Sequence, residues 1–142
     1  MGILKCVCVS KQEHQSAKNI HQNNVTPSGL SGDVHCGSGV KQVSMLPYEV
    51  VKYFFEQKNE PVCYGRFGEN LVVEGVDWSD IHVGDKFRCE DVMLEVSKIG
   101  AQWEGMEQFT GETVCSPMEE FFVFCRVKHV GILTEGEPIY KE

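Results

Sequence analysis

The sequence lacks any long hydrophobic run, and it is poor in basic residues. No apolar stretch approaches the roughly 20 residues of a membrane-spanning helix, so we expect neither a signal peptide nor a membrane anchor. The 142 residues include 13 lysines and arginines against 21 acidic residues, which gives a formal net charge of −8. This balance argues against nucleic acid or an anionic membrane as the main partner. A site for an anion must therefore be a local cluster of bases.

Repeats, linkers and low-complexity segments are also absent. With 142 residues and 42% apolar content, the chain can form one ordinary hydrophobic core without disulfides. We therefore expect a single domain over residues 1–142. Seven cysteines is an odd number, and in a chain with no export signal they are expected to remain thiols. A reducing, cytoplasmic location follows as a prediction.

Hydrophobic patterning predicts many short strands and one clear helix. The strand-like runs are residues 3–9, 40–46, 70–74, 86–89, 92–96 and 121–130. Pro47 opens a segment whose apolar residues recur at helical spacing, namely Val50, Val51, Phe54 and Phe55. The polar residues 10–39 predict a long loop with a short helix near Ala17.

The last strand, at Ile139 and Tyr140, is expected to close a hairpin across Gly136, and residues 103–109 are expected to hold one helical turn. Many short strands with one helix favour a mostly-β fold. We predict a closed or nearly closed β-barrel with a few short helical turns, because closure removes exposed strand edges.

The first glycine motif, residues 29–35, has the composition of a ligand-binding loop. Gly29 and Gly32 can adopt positive φ and let the backbone approach a ligand closely. Asp33 offers an acceptor and His35 a titratable donor, which suits a polar heterocycle. The alternative is an ordinary turn in which Asp33 bonds its own backbone.

The second glycine motif, residues 65–75, has the composition of an anion-binding turn. Arg66 offers a planar set of donors that suits phosphate. Gly65 and Gly68 have no side chains that would keep a ligand away from the neighbouring backbone. Asn70 can bond the edge of a ring. The alternative is an exposed turn in which Arg66 is solvated and Asn70 begins a strand.

Together with the turn at residues 81–86 and the strand Phe124-Cys125-Arg126-Val127, the two motifs resemble the small stand-alone bacterial proteins of the MOSC family. This family is named for the C-terminal domain of molybdenum cofactor sulfurase. Its members have a Gly-x-x-Gly-Asp-x-His loop followed by a Gln-Val-Ser strand that faces the same pocket. The resemblance implies a MOSC-type barrel and a molybdenum or tungsten pterin cofactor. The cofactor-binding residues that it implies are Asp33, His35, Lys41, Gln42, Arg66, Asn70 and Arg126, with Lys41 where the family often has arginine.

Two cysteines are candidates for sulfur chemistry, which needs an exposed and partly ionised thiol. Cys36 follows His35 in the first motif, and Cys115 precedes Ser116-Pro117 where relatives commonly carry a cysteine. The remaining cysteines lack this context, and Cys6, Cys8 and Cys125 are expected in the core. Many relatives also have a thiol soon after the strand that ends near residue 100, where this chain has Trp103.

The resemblance leaves several functions open. The preferred one is a pterin cofactor-binding module that acts in cofactor sulfuration, transfer or protection. The second is a persulfide carrier, loaded by a pyridoxal-phosphate cysteine desulfurase and serving a molybdo- or tungstoenzyme. A small molybdenum-dependent reductase of N-hydroxylated compounds is the third, and a barrel that binds only a partner protein is the fourth. A binding or carrier protein is favoured over a stand-alone catalyst, because Trp103 replaces the usual thiol.

Overall fold

The computed structural model describes residues 1–12, 16–37, 39–100 and 121–142. Within these ranges the chain forms eleven strands, one α-helix and one 3-10 turn. The strands are β1 (Gly2–Val9), β2 (Lys18–Asn19), β3 (Gln22–Thr26), β4 (Gly29–Leu30), β5 (Val43–Pro47), β6 (Leu71–Glu74), β7 (Lys86–Cys89), β8 (Val92–Ile99), β9 (Val123–His129), β10 (Gly131–Thr134) and β11 (Pro138–Lys141). The helix is α1 (Tyr48–Gln57), and the 3-10 turn spans Trp78–Asp80.

Seven of the strands form a closed barrel in the order β11, β7, β8, β9, β5, β6, β1. Antiparallel pairing of β1 with β11 closes it, with Gly2 opposite Ile139 and Ile3 opposite Pro138. β2 extends β1 outside the barrel, and β10, β3 and β4 form a separate three-stranded sheet. The prediction of a mostly-β closed barrel with one clear helix is confirmed.

Helix α1 connects β5 to β6, which are the parallel pair of the barrel. A parallel pair needs a crossover connection, and an α-helix is its usual form. Pro47 ends β5 and is also the N-terminal cap of the helix, with an extended backbone. Val51 and Phe55 of α1 are buried against Leu46 of β5 and Val72 of β6. The helix thus covers the outer face of the two strands that lead into the site described below.

A bulge between Leu4 and Cys6 changes which face of β1 each side chain occupies. Simple alternation would place Leu4, Cys6 and Cys8 on one side. Instead Leu4 joins Val7 in the barrel core, whereas Cys6 and Cys8 lie in the core beneath the helix. β1 is therefore buried on both faces, as its sequence predicts, but with a different distribution of residues.

Two predictions about connections are wrong. Residues 10–39 contain β2, β3 and β4, and Ala17 lies just before β2 instead of in a helix. The strands on either side of Gly136 do not form a hairpin, because β10 pairs with β3 while β11 pairs with β1 and β7. Backbone bonds from Gly136 to Leu4 and from Leu4 to Glu137 direct the turn toward β1. The helical turn predicted at 103–109 lies outside the described residues.

Among the described residues, no helix is long and apolar enough to cross a membrane.

Candidate functional site

The two glycine motifs meet at a hydrogen bond between buried side chains. The side-chain amide nitrogen of Asn70 donates to Asp33 Oδ1 at 3.1 Å and to the carbonyl oxygen of Cys8 at 2.9 Å. Both Asp33 and Asn70 are buried. The two motifs, whose residues the family resemblance assigns to one cofactor site, therefore lie side by side, and both are bonded to the end of β1 or the residue after it.

Asn70 is a structural junction. Its Oδ1 accepts from the backbone nitrogen of Ser44 at 2.9 Å and from Ser44 Oγ at 3.2 Å. Since an asparagine side chain offers two donors and two acceptor positions, these bonds and those to Asp33 and Cys8 occupy its whole capacity. Asn70 therefore joins β1, β5 and the first glycine motif to one another.

Asp33 uses its carboxylate to fix the first motif. Oδ1 accepts from the backbone nitrogen of Ser10 at 2.9 Å, and Oδ2 accepts from the backbone nitrogen of His35 at 3.0 Å. Burial would raise the pKa of Asp33, but the hydrogen bond from the His35 ring and the backbone bonds from Ser10 and His35 outweigh it and lower the pKa. The carboxylate thus stays ionised and holds the loop against β1.

His35 is oriented by Asp33, since its Nδ1 lies 3.2 Å from Asp33 Oδ2. A ring nitrogen beside a carboxylate acts as a donor, which leaves Nε2 as the nitrogen with free capacity. The side chain of His35 is about one-third exposed, and it lines a cleft beside the motif. His35 can therefore offer a ligand an acceptor when neutral and a donor when protonated.

The cleft encloses about 450 Å³, including the part open to solvent. Its described lining residues are His35, Lys41, Ser44, Phe67, Gly68, Phe122 and Phe124. The rings of Phe122 and Phe124 are stacked with centroids 5.7 Å apart. The mixture of aromatic walls with a few polar groups is typical of small-molecule sites. Both glycine motifs contribute to it, the first through His35 and the second through Phe67 and Gly68.

Lys41 supplies positive charge to this cleft. Its Nζ lies over the ring of Phe124, 5.1 Å from the centroid. Partial desolvation, and secondly the charge of Lys98, lower the pKa of Lys41. No carboxylate of the described residues forms an ion pair with Lys41. In a chain with 21 acidic residues, such a lysine is available to an anionic ligand.

Besides Asp33 and Asn70, three predicted residues lie outside the described lining of the cleft. Gln42 is buried, and its side chain fastens the loop by donating to Pro27 and accepting from Val127. Arg66 Nη1 lies 3.2 Å from Glu60 Oε2 in an ion pair at the surface. Arg126 is exposed on β9 opposite Glu95.

Of the two candidate thiols, only Cys36 lies within the described residues. Cys36 is exposed, and its Sγ donates to the carbonyl oxygen of Leu30 at 2.7 Å. Burial of the thiol group and the charge of Asp33 raise the pKa of Cys36 despite an opposing backbone hydrogen bond, so its thiolate fraction near neutral pH is small. Cys115 lies outside the described residues. The expected core cysteines Cys6, Cys8 and Cys125 are buried.

Glu69 was not singled out from the sequence, yet it shapes the second motif. It is fully buried, and its carboxylate accepts from the backbone nitrogens of Gly65 and Phe67, both at 3.0 Å. Burial raises its pKa to about 7, although these hydrogen bonds act in the opposite direction. Gly65 has φ +86°, and a Cβ there would collide with the carbonyl of Ala17. Glu69 and Gly65 therefore fix the turn that presents Phe67 and Gly68 to the cleft.

A closed β-barrel with a half-open polar and aromatic cleft, built where two glycine-rich turns meet, defines a small domain suited to binding a ligand. The family model for the MOSC domain matches residues 31–102, which includes most of these site residues. The chain belongs to the MOSC domain family, which is linked to molybdenum cofactor binding and sulfuration.

Comparison with known proteins finds one related sequence and several similar folds. The uncharacterised protein YflK of Bacillus subtilis is 29% identical over 90 residues, which is 63% of this chain. The match spans 41% of YflK, well under half of that relative. The structure of YiiM from Geobacillus stearothermophilus has a TM-score of 0.77 at 18% identity, covering 100% of this chain and 75% of YiiM. YuaD of Bacillus subtilis gives 0.73 at 15% identity, covering 98% of this chain and 94% of YuaD. At these identities the two structures show likeness of fold alone.

Proposed function

We propose that this protein is a binding module for a molybdenum or tungsten pterin cofactor and that it acts in cofactor sulfuration, transfer or protection. One observation carries the proposal. The cleft between the two glycine motifs places the ammonium of Lys41 over the ring of Phe124, and no carboxylate of the described chain neutralises it. Membership of the MOSC family supports the choice of ligand.

The described lining residues fit the organic part of such a cofactor. A pterin is a planar heterocycle that can stack on an aromatic ring, and Phe122 and Phe124 supply stacked rings in the cleft. The hydroxyl of Ser44, the backbone at Gly68 and the ring of His35 offer polar groups nearby. The anionic tail of the cofactor would lie toward Lys41. The bound cofactor would supply the redox and sulfur-exchange chemistry of its metal, while these residues bind and orient it.

The described residues offer less to the metal. No group of three or more histidine, cysteine, aspartate or glutamate side chains converges in the described ranges. We therefore assign His35, Lys41, Ser44 and the phenylalanine rings to the organic part alone. Cys115 stays a hypothesis as a thiol that acts on the metal or on sulfur.

The proposal is tested by isolating the protein without air from cells that make the cofactor. We expect molybdenum or tungsten and an oxidisable pterin in equal amounts in the wild-type protein. Lys41→Gln should lose most of both, because it removes the charge above Phe124 and keeps the fold. Lys52→Gln is the matched control, since Lys52 is exposed on α1, away from the cleft. Wild-type protein that carries neither metal nor pterin, and binds no added cofactor, would refute the proposal.

The persulfide-carrier alternative has a separate test. Incubation with a cysteine desulfurase and labelled cysteine should label Cys115 if it is the carrier, and the raised pKa of Cys36 predicts weak labelling there. Equal labelling of the Cys115→Ala, Cys36→Ala double variant would eliminate both thiols.

A further inference from the structure

A second lysine lies beside Lys41, and no motif of the sequence points to it. Lys98 is near the end of β8 and is the cross-strand partner of Phe124 on β9. The ring of Phe124 is also the one beneath the ammonium of Lys41. Phe124 therefore links the two lysines, one through its backbone and one through its ring.

Ser97 fastens the chain segment of Lys41 to the same place. Its Oγ lies within hydrogen-bond distance of the carbonyl oxygens of Val40 and Phe124, the latter at 3.1 Å, and its one proton is shared between them. Because Val40 precedes Lys41 and Lys98 follows Ser97, this contact holds the two lysine backbones at one corner of the barrel. The closeness of the two lysine backbones is thus built into the strand pairing.

The charges at this corner are not balanced by the described protein. Neither lysine forms an ion pair with a described carboxylate, although the chain has eight more acidic than basic residues. Lys98 is close enough that its charge disfavours protonation of Lys41. Two neighbouring ammonium groups that repel each other are stabilised by an anion that contacts both.

The type of anion follows from the donors. Lysine acts as a point charge with three rotatable donors, and it is a common ligand of phosphate. Arg66, which the sequence favours for this task, is instead held by Glu60 at the surface. His35 lies in the same cleft as Lys41 and can donate a further hydrogen bond when protonated.

We propose that Lys41, which lines the cleft, and Lys98, which lies just outside it beside Phe124, form an oxyanion subsite and that this subsite binds the phosphate monoester of the heterocyclic ligand. This inference rests on the proposed function and names the part of the ligand that each end of the cleft recognises. The aromatic rings contact the heterocycle, and the two lysines contact the phosphate.

The test uses guanosine 5′-monophosphate, whose guanine shares the amino-oxo pyrimidine edge of a pterin, together with guanosine and inorganic phosphate. Binding is measured by calorimetry at low salt for the wild type, Lys41→Gln, Lys98→Gln and the double variant. Lys52→Gln and Lys128→Gln are controls with exposed lysines elsewhere. We expect the monophosphate to bind wild type more tightly than guanosine or phosphate does. Each single lysine variant should weaken binding of the monophosphate about tenfold, as expected for loss of a charged hydrogen bond, while guanosine binding is unchanged.

Three results would overturn the subsite. The first is equal monophosphate affinity in the double variant and the controls. The second is equal affinity of the wild type for inorganic phosphate and the monophosphate, which would mean that the two lysines bind free phosphate and not the phosphate of a heterocyclic ligand. The third is a loss of guanosine binding in parallel with monophosphate binding. All variants are compared by urea unfolding, so that a loss of fold is recognised.

Failure of the subsite and failure of the proposed function can be told apart. If the protein binds the monophosphate through both lysines but never carries a pterin, the proposed cofactor-binding function is refuted but the proposed subsite is not. If the Lys98→Gln variant carries as much cofactor as the wild type, the proposed subsite is refuted but the proposed cofactor-binding function is not.

Discussion

The buried junction of Asp33 and Asn70 and the open cleft beside it are built from the same two motifs, yet their polar groups are used in opposite ways. At the junction, hydrogen bonds within the protein occupy all the donor and acceptor positions of Asn70. In the cleft, Lys41 has an aromatic ring beneath it and no described carboxylate beside it.

The difference shows that a motif residue can serve a site without touching the ligand. Asp33 and Asn70 suit a ligand by residue type, but they hold in place the loops that present His35, Phe67 and Gly68. Substitutions at the junction should therefore destabilise the protein, whereas substitutions in the cleft should weaken binding and leave stability nearly unchanged. The predictions below test this division from the largest expected effect to the smallest.

Asn70→Ala should lower the free energy of unfolding by about 3 to 5 kcal/mol, because it removes four hydrogen bonds from the Asn70 side chain to buried groups of Cys8, Asp33 and Ser44. Urea unfolding at neutral pH measures the change. Asn24→Ala is the control, since Asn24 is exposed and its substitution should change stability by less than about 0.5 kcal/mol. Similar small effects for both variants would mean that Asn70 does not join the loops.

Glu69→Gln should change how stability depends on pH. The pKa of Glu69 in the folded protein is about 7, above its ordinary value of 4.5. Between these values the folded protein holds a proton that the unfolded chain has released. The bound proton of Glu69 therefore stabilises the folded state fully below pH 4.5, and this stabilisation is lost as the pH rises through 7.

Glutamine has no such titration. The stability of wild type relative to Glu69→Gln should fall by an amount on the order of 3 kcal/mol between pH 4.5 and 8, as followed by urea unfolding at several pH values. A constant difference across this range would show that the carboxylate of Glu69 is solvated or ionised throughout.

Asp33→Asn should destabilise the protein by about 2 kcal/mol at neutral pH, because asparagine keeps only one acceptor oxygen and so loses the hydrogen bond from Ser10 or the one from His35. The pKa of Asp33 in the folded protein is below its ordinary value of 3.8. Its contribution is therefore present above that pH and is lost as the pH falls through the folded pKa. Unfolding curves of wild type and variant should converge in acid, and a gap that persists there would contradict the assignment.

Arg66→Gln should have the smallest effect. A surface ion pair such as that with Glu60 contributes about 0 to 1 kcal/mol to stability. Because the arginine lies outside the lining of the cleft, the affinity for guanosine monophosphate should change less than about twofold. A tenfold loss, equal to that expected for Lys41→Gln, would return Arg66 to the phosphate-binding role that its residue type predicts.

Much of the fold could be predicted because its patterns are local. The strand at residues 86–89 alternates and ends at a turn, and α1 begins after Pro47 with apolar residues at helical spacing. β3 and β10 escaped prediction as a pair because the polar run Gln22-Asn23-Asn24 has little β propensity and meets a partner more than 100 residues away. Such pairing depends on the whole fold, and so does the bulge beside Lys5.

The site could be predicted only in part. The meeting of the two motifs could be anticipated, whereas the direction of each side chain depends on neighbours that no motif contains. Arg66 turns toward Glu60, and Asn70 is enclosed by β1 and β5. Lys98 could not be predicted, because a lysine near the exposed end of a strand is ordinary until strand pairing places it beside Phe124.

The central claim is that the ligand lies in the cleft between His35 and Lys41, and an amide chemical-shift map of the isotope-labelled protein tests it most directly. On titration with guanosine monophosphate, we predict the largest shifts at Ser44, Gly68 and Phe124, which line the cleft. Shifts centred on Glu60 and Arg66, or no shifts at millimolar ligand, would contradict the account.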